Sequence, residues 1–200
     1  RRMEQALARR VWKWAGADVY GKKIHCSGTM RQVWPSMISL HPHFIQSRKA
    51  EYIATIRQSG AELLYGYSLA IFELLWMLDQ ERVHDVRFRT AVLTGHATAP
   101  GIRAFILERF NCNVFTYYAA VELGIIAIEC EAHEGLHVQE ELMIVEVVDK
   151  NGRPMPDGTS GGVVVTSLSN DVMPFIRYDT GDTGMFLTTP CSCRRTLRRI

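Results

Sequence analysis

Residues 90–118 read TAVLTGHATAPGIRAFILERFNCNVFTYY, and this stretch decides the fold. Two runs rich in β-branched and aromatic residues, 90–94 and 113–118, flank a loop and a segment with helical periodicity. A strand, a helix and a second strand form a β-α-β unit, whose strands are by default parallel and joined by a right-handed crossover. Ligands of such sheets bind at the carboxyl ends of the strands, here in the loops that start at Gly95 and Tyr118.

Apolar residues at helical spacing predict that the first half of the chain is mainly helical. Ser47 is an N-cap residue type, so we expect it to begin one of these helices, and Ser59-Gly60 to end it. The predicted helices cover residues 2–14, 47–58, 70–80 with a start near Ser68, and 102–110.

Beyond Glu122 the pattern is typical of β-structure, with strands predicted at 124–130, 141–149 and 162–168. The glycine-rich stretch 157–162 opens onto one of these strands. A phosphate-binding loop would open onto a helix, so we interpret this stretch as a hairpin turn. The predicted fold class is α/β, with a helical and α/β part in residues 1–122 and a β-rich part in residues 123–200.

The composition excludes several classes of protein. The 200 residues are 47% hydrophobic and 22% charged, as in ordinary globular domains, and a net charge of +2 does not indicate nucleic acid or an anionic membrane as partner. No apolar run approaches the ~20 residues of a membrane span, and no signal-peptide core follows the first ten residues. Five cysteines form no even disulfide framework, so we expect a reducing, cytoplasmic location.

Two locally close pairs of metal-ligand residue types lie far apart in the chain. Cys130, His133 and His137 fall in one segment, and Cys191 and Cys193 fall in another. Structural zinc sites are commonly built from two such segments, and four of these five side chains would complete one. In the alternative interpretation, Cys130 is a small buried hydrophobic residue and the histidines are solvated.

Two further motifs combine aromatic, acidic and basic residues near strand ends. In the segment Arg177-Tyr-Asp-Thr-Gly-Asp182, a carboxylate could accept both hydroxyls of a sugar diol. In Tyr118-Ala-Ala-Val-Glu122, the tyrosine could stack on a base and the carboxylate could bind magnesium. The alternatives are a polar turn with a local ion pair, and a core tyrosine beside a surface glutamate.

In order along the chain, these motifs resemble one family. The matching segments are Thr94-Gly95, Tyr118 to Glu122, Glu129-Cys130, Gly135-Leu-His137, Asp149-Lys-Asn-Gly-Arg-Pro154, Met173-Pro-Phe-Ile-Arg-Tyr-Asp-Thr-Gly-Asp182 and Cys191-Ser-Cys193. They are similar to the phenylacetate–coenzyme A ligase and CapK-like branch of the adenylate-forming enzymes. The resemblance implies part of an adenylate-forming N-terminal domain. It also implies that a carboxylate attacks the α-phosphate of ATP, and that coenzyme A then displaces AMP from the acyl-adenylate.

The resemblance also implies roles for individual residues. Tyr118 should lie against adenine, and Glu122 should act in catalysis by reaching the magnesium ion. Asp182 should accept the ribose hydroxyls, with Arg177 also in the nucleotide site. Gly95 should allow the nucleotide or the acyl group to approach the backbone.

The same resemblance assigns a structural zinc ion to Cys130, His137, Cys191 and Cys193, which leaves His133 as the spare histidine. The implied cofactors are ATP or AMP with magnesium and the zinc ion, with coenzyme A as co-substrate. The implied partners are a small carboxylic acid, ATP and coenzyme A, and a homodimer stays open.

The chain also departs from the family pattern. Val121 and Ala119 stand where the superfamily has threonine and glycine in Tyr-Gly-x-Thr-Glu, and His96 replaces a glutamate. The phosphate loop that lies upstream in the family, and the C-terminal lid domain with its lysine, have no counterpart in these residues. We therefore expect a ligase fragment that is inactive alone. The alternative is a catalytically inactive, zinc-stabilised nucleotide-binding or interaction remnant of the family.

Overall fold

This computed structural model describes residues 2–28 and 36–200. The chain divides into two compact units. The parallel-sheet unit is Trp12–Thr116, and the β-rich unit is Tyr117–Ile200 together with the chain up to Val11. The division falls inside two elements, helix α1 (Arg2–Trp14) and strand β5 (Asn113–Ala120).

The parallel-sheet unit is built on five strands in the order β2-β1-β3-β4-β5. The first four strands are β1 (Lys23–Cys26), β2 (Met37–Leu40), β3 (Leu63–Tyr67) and β4 (Thr90–Thr94). All neighbours in this sheet are parallel, and β5 joins it through residues 113–116. The predicted α/β class and the parallel pairing of β4 with β5 are therefore confirmed.

Among the described residues, three α-helices lie between these strands: α2 (Lys49–Ser59), α3 (Ser68–Gln80) and α4 (Pro100–Phe110). Helix α3 buries Ile71, Leu74, Leu75 and Leu78 completely. Their spacing of three and four residues forms the apolar stripe that a sheet-covering helix requires. The predicted helices are thus confirmed to within about two residues at each end.

One expectation for this unit is wrong. Ser47 does not cap α2, because its hydroxyl donates to the carbonyl of Phe44 and the helix begins after Arg48, which makes no side-chain cap. The sequence patterns also do not predict β1, β2 and β3, which are strands of only four or five residues. Such short strands carry too few residues for their alternation to be recognised.

The β-rich unit contains an antiparallel hairpin and a separate antiparallel sheet. The last four residues of β5 pair with β6 (Gly124–Glu129), which pairs in turn with β7 (Leu136–Val138). The second sheet has the order β10-β9-β8, with β8 (Met143–Val148), β9 (Gly161–Ser167) and β10 (Tyr178–Gly184). Alternate valines of β8 and β9 form the core with Phe186.

The three strands predicted for this region correspond to β6, β8 and β9 and are confirmed. The stretch 157–162 lies in the connection between the antiparallel strands β8 and β9, as expected for a hairpin. Strands β7 and β10 were not predicted. No helix in residues 2–28 or 36–200 has both the length and the apolar character that a membrane crossing requires.

Candidate nucleotide and metal sites

The end of β5 meets β10 through two side chains that are far apart in sequence. The hydroxyl of Tyr118, on β5, donates a hydrogen bond of 2.5 Å to Oδ2 of Asp182, on β10. Burial of Tyr118, together with the negative charge and hydrogen bond of Asp182, raises the pKa of the phenol. The phenol therefore stays protonated at neutral pH and acts as a donor to the carboxylate.

Asp182 is presented by an irregular segment of β10. The register with β9 shifts between Asp179 and Thr183, and Gly181 has a φ of +75° within the shift. The backbone N–H of Gly181 donates to Oδ1 of Asp179 at 2.9 Å. The Thr180 hydroxyl donates to the carbonyl of Val163 at 3.0 Å and accepts from the N–H of Asp182 at 3.2 Å. The Asp-Thr-Gly-Asp sequence thus holds its own bulge in place.

Glu122 lies in the turn between β5 and β6 and is exposed. The negative charge of Glu122 raises the pKa of Tyr178, the first residue of β10. The structure therefore brings two residues predicted for the nucleotide site, Tyr118 and Asp182, into contact, and Glu122 lies in the turn that follows the strand of Tyr118.

Arg177 binds elsewhere in the β-rich unit. Its Nε donates to Glu146 at 3.1 Å, and its Nη2 donates to the carbonyl of Gly152 at 2.7 Å. The guanidinium therefore ties β8 to the β8–β9 connection. A role for Arg177 in binding nucleotide stays a prediction.

Gly95 follows β4 in the parallel-sheet unit and has a φ of +85°. A Cβ at this position would lie 2.5 Å from Cδ1 of Tyr67. Both its backbone angle and the neighbouring ring therefore require glycine here. This local requirement exists whether or not a ligand approaches the loop.

Val121, at the position where the resembling superfamily has threonine, is 100% exposed. Its side chain contributes nothing to the core, so packing does not account for the valine. Ala119 belongs to β5 and pairs with Ile125 of β6.

Cys130, His137, Cys191 and Cys193, here called the Cys/His cluster, converge on one point in the β-rich unit. Their candidate ligand atoms all lie within 4.8 Å of one another. The Sγ atoms of Cys130 and Cys191 are 3.7 Å apart, and Sγ of Cys193 is 3.3 Å from Nε2 of His137. Tetrahedral zinc with bonds of ~2.3 Å to sulfur and ~2.0 Å to nitrogen needs ligand separations of roughly 3.5–3.8 Å. The donor set and its spacing therefore fit zinc.

His137 is oriented by the backbone. Its Nδ1 hydrogen-bonds the carbonyl of Leu197 at 3.2 Å, which directs Nε2 towards the cluster. The ring is fully buried, and this burial lowers its pKa. His137 is therefore neutral at pH 7, the form in which imidazole binds a metal.

The thiols of the cluster differ in their surroundings. Burial raises the pKa of Cys130 to about 12 when no cation is near. Burial also acts against ionisation of Cys193, but hydrogen bonds from Arg195 and from the neighbouring thiols outweigh it and lower the pKa of that thiol. The backbone N–H of Arg195 lies 3.4 Å from Sγ of Cys193.

Polar side chains around the Cys/His cluster link residues 192–199 to residues 131–134. The guanidinium of Arg195 donates to both carboxylate oxygens of Glu131, at 2.9 and 2.8 Å. Glu134 accepts from the N–H and the hydroxyl of Ser192, at 3.0 and 2.9 Å. Arg199, only 4% exposed, donates to the carbonyl of Glu134. Sequence reasoning missed these contacts, because nothing local pairs residues about 60 positions apart.

His133 does not join the cluster. Its Nδ1 lies 3.1 Å from a carboxylate oxygen of Glu129. The four residues that the structure brings together are therefore those that the resemblance named, and His133 is the remaining histidine.

Comparisons with known proteins agree with the resemblance. No family model matches the chain. Over 117 residues, or 56% of the chain, it is 40% identical to a phenylacetate–coenzyme A ligase of Thermus thermophilus and covers 26% of that protein. It is 31% identical over 122 residues, or 58% of the chain, to the enzyme of the same name from Pseudomonas putida, and covers 27% of it.

Solved structures match the fold over most of the chain. A 2-hydroxyisobutyryl–CoA ligase, solved with 2-HIB-AMP and CoA, superposes on 100% of the chain with a TM-score of 0.80 at 17% identity; the match covers 47% of that protein. An anthranilate–CoA ligase, solved with anthranoyl-AMP, superposes on 92% with a TM-score of 0.66 at 14% identity, covering 41%. The chain is thus similar in sequence to phenylacetate–coenzyme A ligases over somewhat more than half of its length and has the fold of acyl–CoA ligases, and its matched segment spans about a quarter of those curated relatives.

Proposed function

We propose that the chain forms part of an ATP-dependent ligase that joins a carboxylic acid to coenzyme A through an acyl-adenylate. One observation carries this proposal. Two polar motifs about 60 residues apart, around Tyr118 and Asp182, come into direct contact at 2.5 Å. The ligases matched in sequence, and the adenylate and CoA ligands of the neighbouring structures, support the reaction class.

Asp182 and Tyr118 would hold the nucleoside. A carboxylate offers about four lone-pair positions, so Asp182 can accept from Tyr118 and from the two ribose hydroxyls at once. The hydrogen bond to Asp182 fixes the tilt of the Tyr118 ring, whose face is the surface against which adenine would lie. Nucleoside binding would then not have to order these two side chains first.

Glu122 would hold magnesium together with the ATP phosphates. Magnesium in nucleotide sites is bound by one or two carboxylates plus phosphate oxygens, and Glu122 is an exposed carboxylate in the turn directly after the strand that carries Tyr118. When bound, the ion offsets the negative charge of the phosphates at which the acid attacks. Glu122 would supply a carboxylate oxygen to that ion.

Zinc in the Cys/His cluster would be structural. Four protein ligands fill a tetrahedral shell, which leaves no position for a substrate or a reactive water. The ion would join the β6–β7 segment to residues 191–193 and so stabilise the β-rich unit.

Nucleotide binding tests the proposal. We expect Asp182→Ala to weaken ATP binding, measured by isothermal titration calorimetry, by about tenfold or more, because the ribose hydroxyls would lose their charged acceptor. Asp171→Ala is the matched control, since Asp171 is an exposed aspartate in the loop before β10. Equal ATP affinities for both variants and the unmodified chain would refute the assignment of Asp182.

A nucleotide-binding protein without ligase chemistry is the second candidate, and Val121 favours it. The side chain is fully exposed and carries no hydroxyl that could donate to the α-phosphate. Loss of one such donor commonly costs ~10²–10³ in rate. ATP–pyrophosphate exchange with a panel of aryl acids separates the two candidates. The assay uses the full-length protein of which the chain would form part: a ligase should show exchange that increases in Val121→Thr, whereas the second candidate should bind ATP and show no exchange in either form.

A further inference from the structure

The three thiols of the Cys/His cluster come from two distant segments of the chain and lie within reach of one another. Cys130 follows β6, whereas Cys191 and Cys193 lie about 60 positions further on, and all three sulfur atoms lie within 4.8 Å of one another. Because a disulfide bond is about 2.0 Å long, two of these sulfurs have to approach by no more than about 2.8 Å to form one. The arrangement that fits a metal ion is therefore also close to that of a disulfide.

The two segments are held together by contacts that do not involve the thiols. Arg195 binds both carboxylate oxygens of Glu131, and Glu134 accepts two hydrogen bonds from Ser192. These contacts flank Cys193 on one segment and follow Cys130 on the other. The sulfurs therefore stay near one another whether or not a metal ion is bound.

Access to solvent and chain connectivity distinguish the three thiols. Cys130 and Cys191 are only 0% and 7% exposed, and Cys193 is the one cysteine among the described residues that is not buried. A small oxidant therefore meets Cys193 first. A bond from Cys193 to Cys191, only two positions away, would close a small, strained ring, whereas Cys130 reaches it from the other segment without this restriction.

We propose that Cys130 and Cys193 form a reversible disulfide when hydrogen peroxide reaches the Cys/His cluster, and that this bond replaces the metal ion as the link between the two segments. First, the sulfur of Cys193 attacks the peroxide: the O–O bond breaks, an S–O bond forms and one water leaves, which gives a sulfenic acid. Then the sulfur of Cys130 attacks that of Cys193: the S–S bond forms, the S–O bond breaks, and the hydroxyl leaves as a second water with the proton of Cys130. The thiol pair is oxidised by two electrons, and the peroxide is reduced to two waters.

The disulfide and the metal ion exclude each other. The bond uses two of the four ligand atoms, and Cys191 and His137 alone cannot fill a tetrahedral shell. The replacement of the metal rests on the structural zinc of the proposed function, whereas the disulfide itself does not.

The test treats the zinc-loaded chain and the chelated chain with hydrogen peroxide. Disulfides are mapped by mass spectrometry after free thiols are alkylated and the protein is digested without reductant, and released zinc is measured with a colorimetric chelator. We expect a cross-link between Cys130 and Cys193 in both samples, release of the zinc from the loaded one, and reversal by dithiothreitol with added zinc. In the chelated chain, the cross-link should raise Tm by about as much as chelation lowered it, because both links close loops of similar length.

Three variants locate the bond. Cys193→Ser should form no cross-link, whereas chelated Cys191→Ser should still form one, because Cys191 takes no part in it. Cys112→Ser, at a buried cysteine of the parallel-sheet unit, is the matched control and should respond like the unmodified chain.

The outcomes separate the inference from the proposed zinc. If the purified chain binds no zinc, the proposed zinc fails, and the cross-link in the metal-free chain still decides whether the disulfide forms. Thiols that stay free in the chelated chain, sulfinic or sulfonic acid at Cys193 without a cross-link, or a bond between Cys191 and Cys193 would overturn the inference. A loaded chain that keeps its ion under peroxide would overturn the replacement of the metal.

Discussion

Stripping the metal from the Cys/His cluster should destabilise the β-rich unit, and the size of the effect follows from the chain connectivity. Cys130 and Cys191 are separated by 61 positions, and their sulfurs lie 3.7 Å apart. A shared ion closes the intervening chain into a loop, much as a disulfide would. The entropy of closing a loop of this length corresponds to about 4 kcal/mol at 25 °C.

This value lies below the ~10–16 kcal/mol with which zinc folds isolated finger peptides, and a physical reason explains the difference. Those peptides have no core without the metal. The β-rich unit retains a core of alternating valines with Phe186, so the metal-free unit can stay folded. For a chain of this size, 1 kcal/mol shifts Tm by ~2–4 °C, so metal removal should lower Tm by about 8–16 °C.

The assay combines metal analysis with thermal unfolding. Protein expressed with zinc should contain one ion per chain, and a chelator should lower its Tm by the amount above. Cys193→Ser should lose the ion and melt like the chelated protein, with no further response to chelator. Cys112→Ser, at a buried cysteine of the parallel-sheet unit, should keep the ion. Metal-free protein, or a Tm that chelation leaves unchanged, would refute the reasoning.

Two further predictions concern the parallel-sheet unit. Gly95→Ala should cost about 1 kcal/mol more in free energy of unfolding than Gly60→Ala, because both have positive φ but only Gly95 also faces the Tyr67 ring. In urea denaturation, Tyr67→Ala should remove that difference, and a persisting difference would contradict the steric explanation. Burial lowers the pKa of His25 below its ordinary 6.5, so below that pH the unfolded chain binds the proton first and stability falls with falling pH. His25→Gln should flatten this fall below pH 6.5. Measuring both proteins in the Cys193→Ser background excludes metal release, and an unchanged pH slope would exclude His25 as the cause.

The elements that could be predicted from the sequence are those in which apolar residues are continuous or recur at a regular spacing. Strand β4 and the first part of β5 show continuous apolar runs, and α3 shows a clear helical stripe. Strand β10 carries the sequence YDTGDTG, which no propensity argument assigns to a strand. It is a strand because its backbone pairs with β9, and this pairing is a long-range contact that local sequence patterns do not reveal.

The same distinction applies to the candidate sites. The spacing of Cys130, His137, Cys191 and Cys193 predicted a metal site, but spacing alone left open which four of five groups would form it. Only the resemblance to the ligases selected them, and the structure places their ligand atoms together. The partner of Arg177 could not be predicted in this way. Two acidic residues near it in sequence were the obvious partners, yet the register of β8 against β9 brings Glu146 to its guanidinium.

The bulge in β10 explains how a polar strand can both belong to a sheet and present a ligand-binding carboxylate. Asp179 pairs with Val164 and Thr183 pairs with Gly162, so the register of β10 against β9 shifts by two residues between these pairs. Residues 180–182 therefore leave the ladder. The bulge interrupts the ladder opposite Val163, whose carbonyl accepts a hydrogen bond from the Thr180 hydroxyl. Gly181 supplies the positive φ that the excursion needs, and Asp179 accepts its N–H. Each residue of Asp-Thr-Gly-Asp therefore has a local task whose combined result is to place Asp182 against Tyr118. Because this placement depends on backbone geometry rather than on the core, substitutions at Asp182 can change nucleotide binding while the fold is retained.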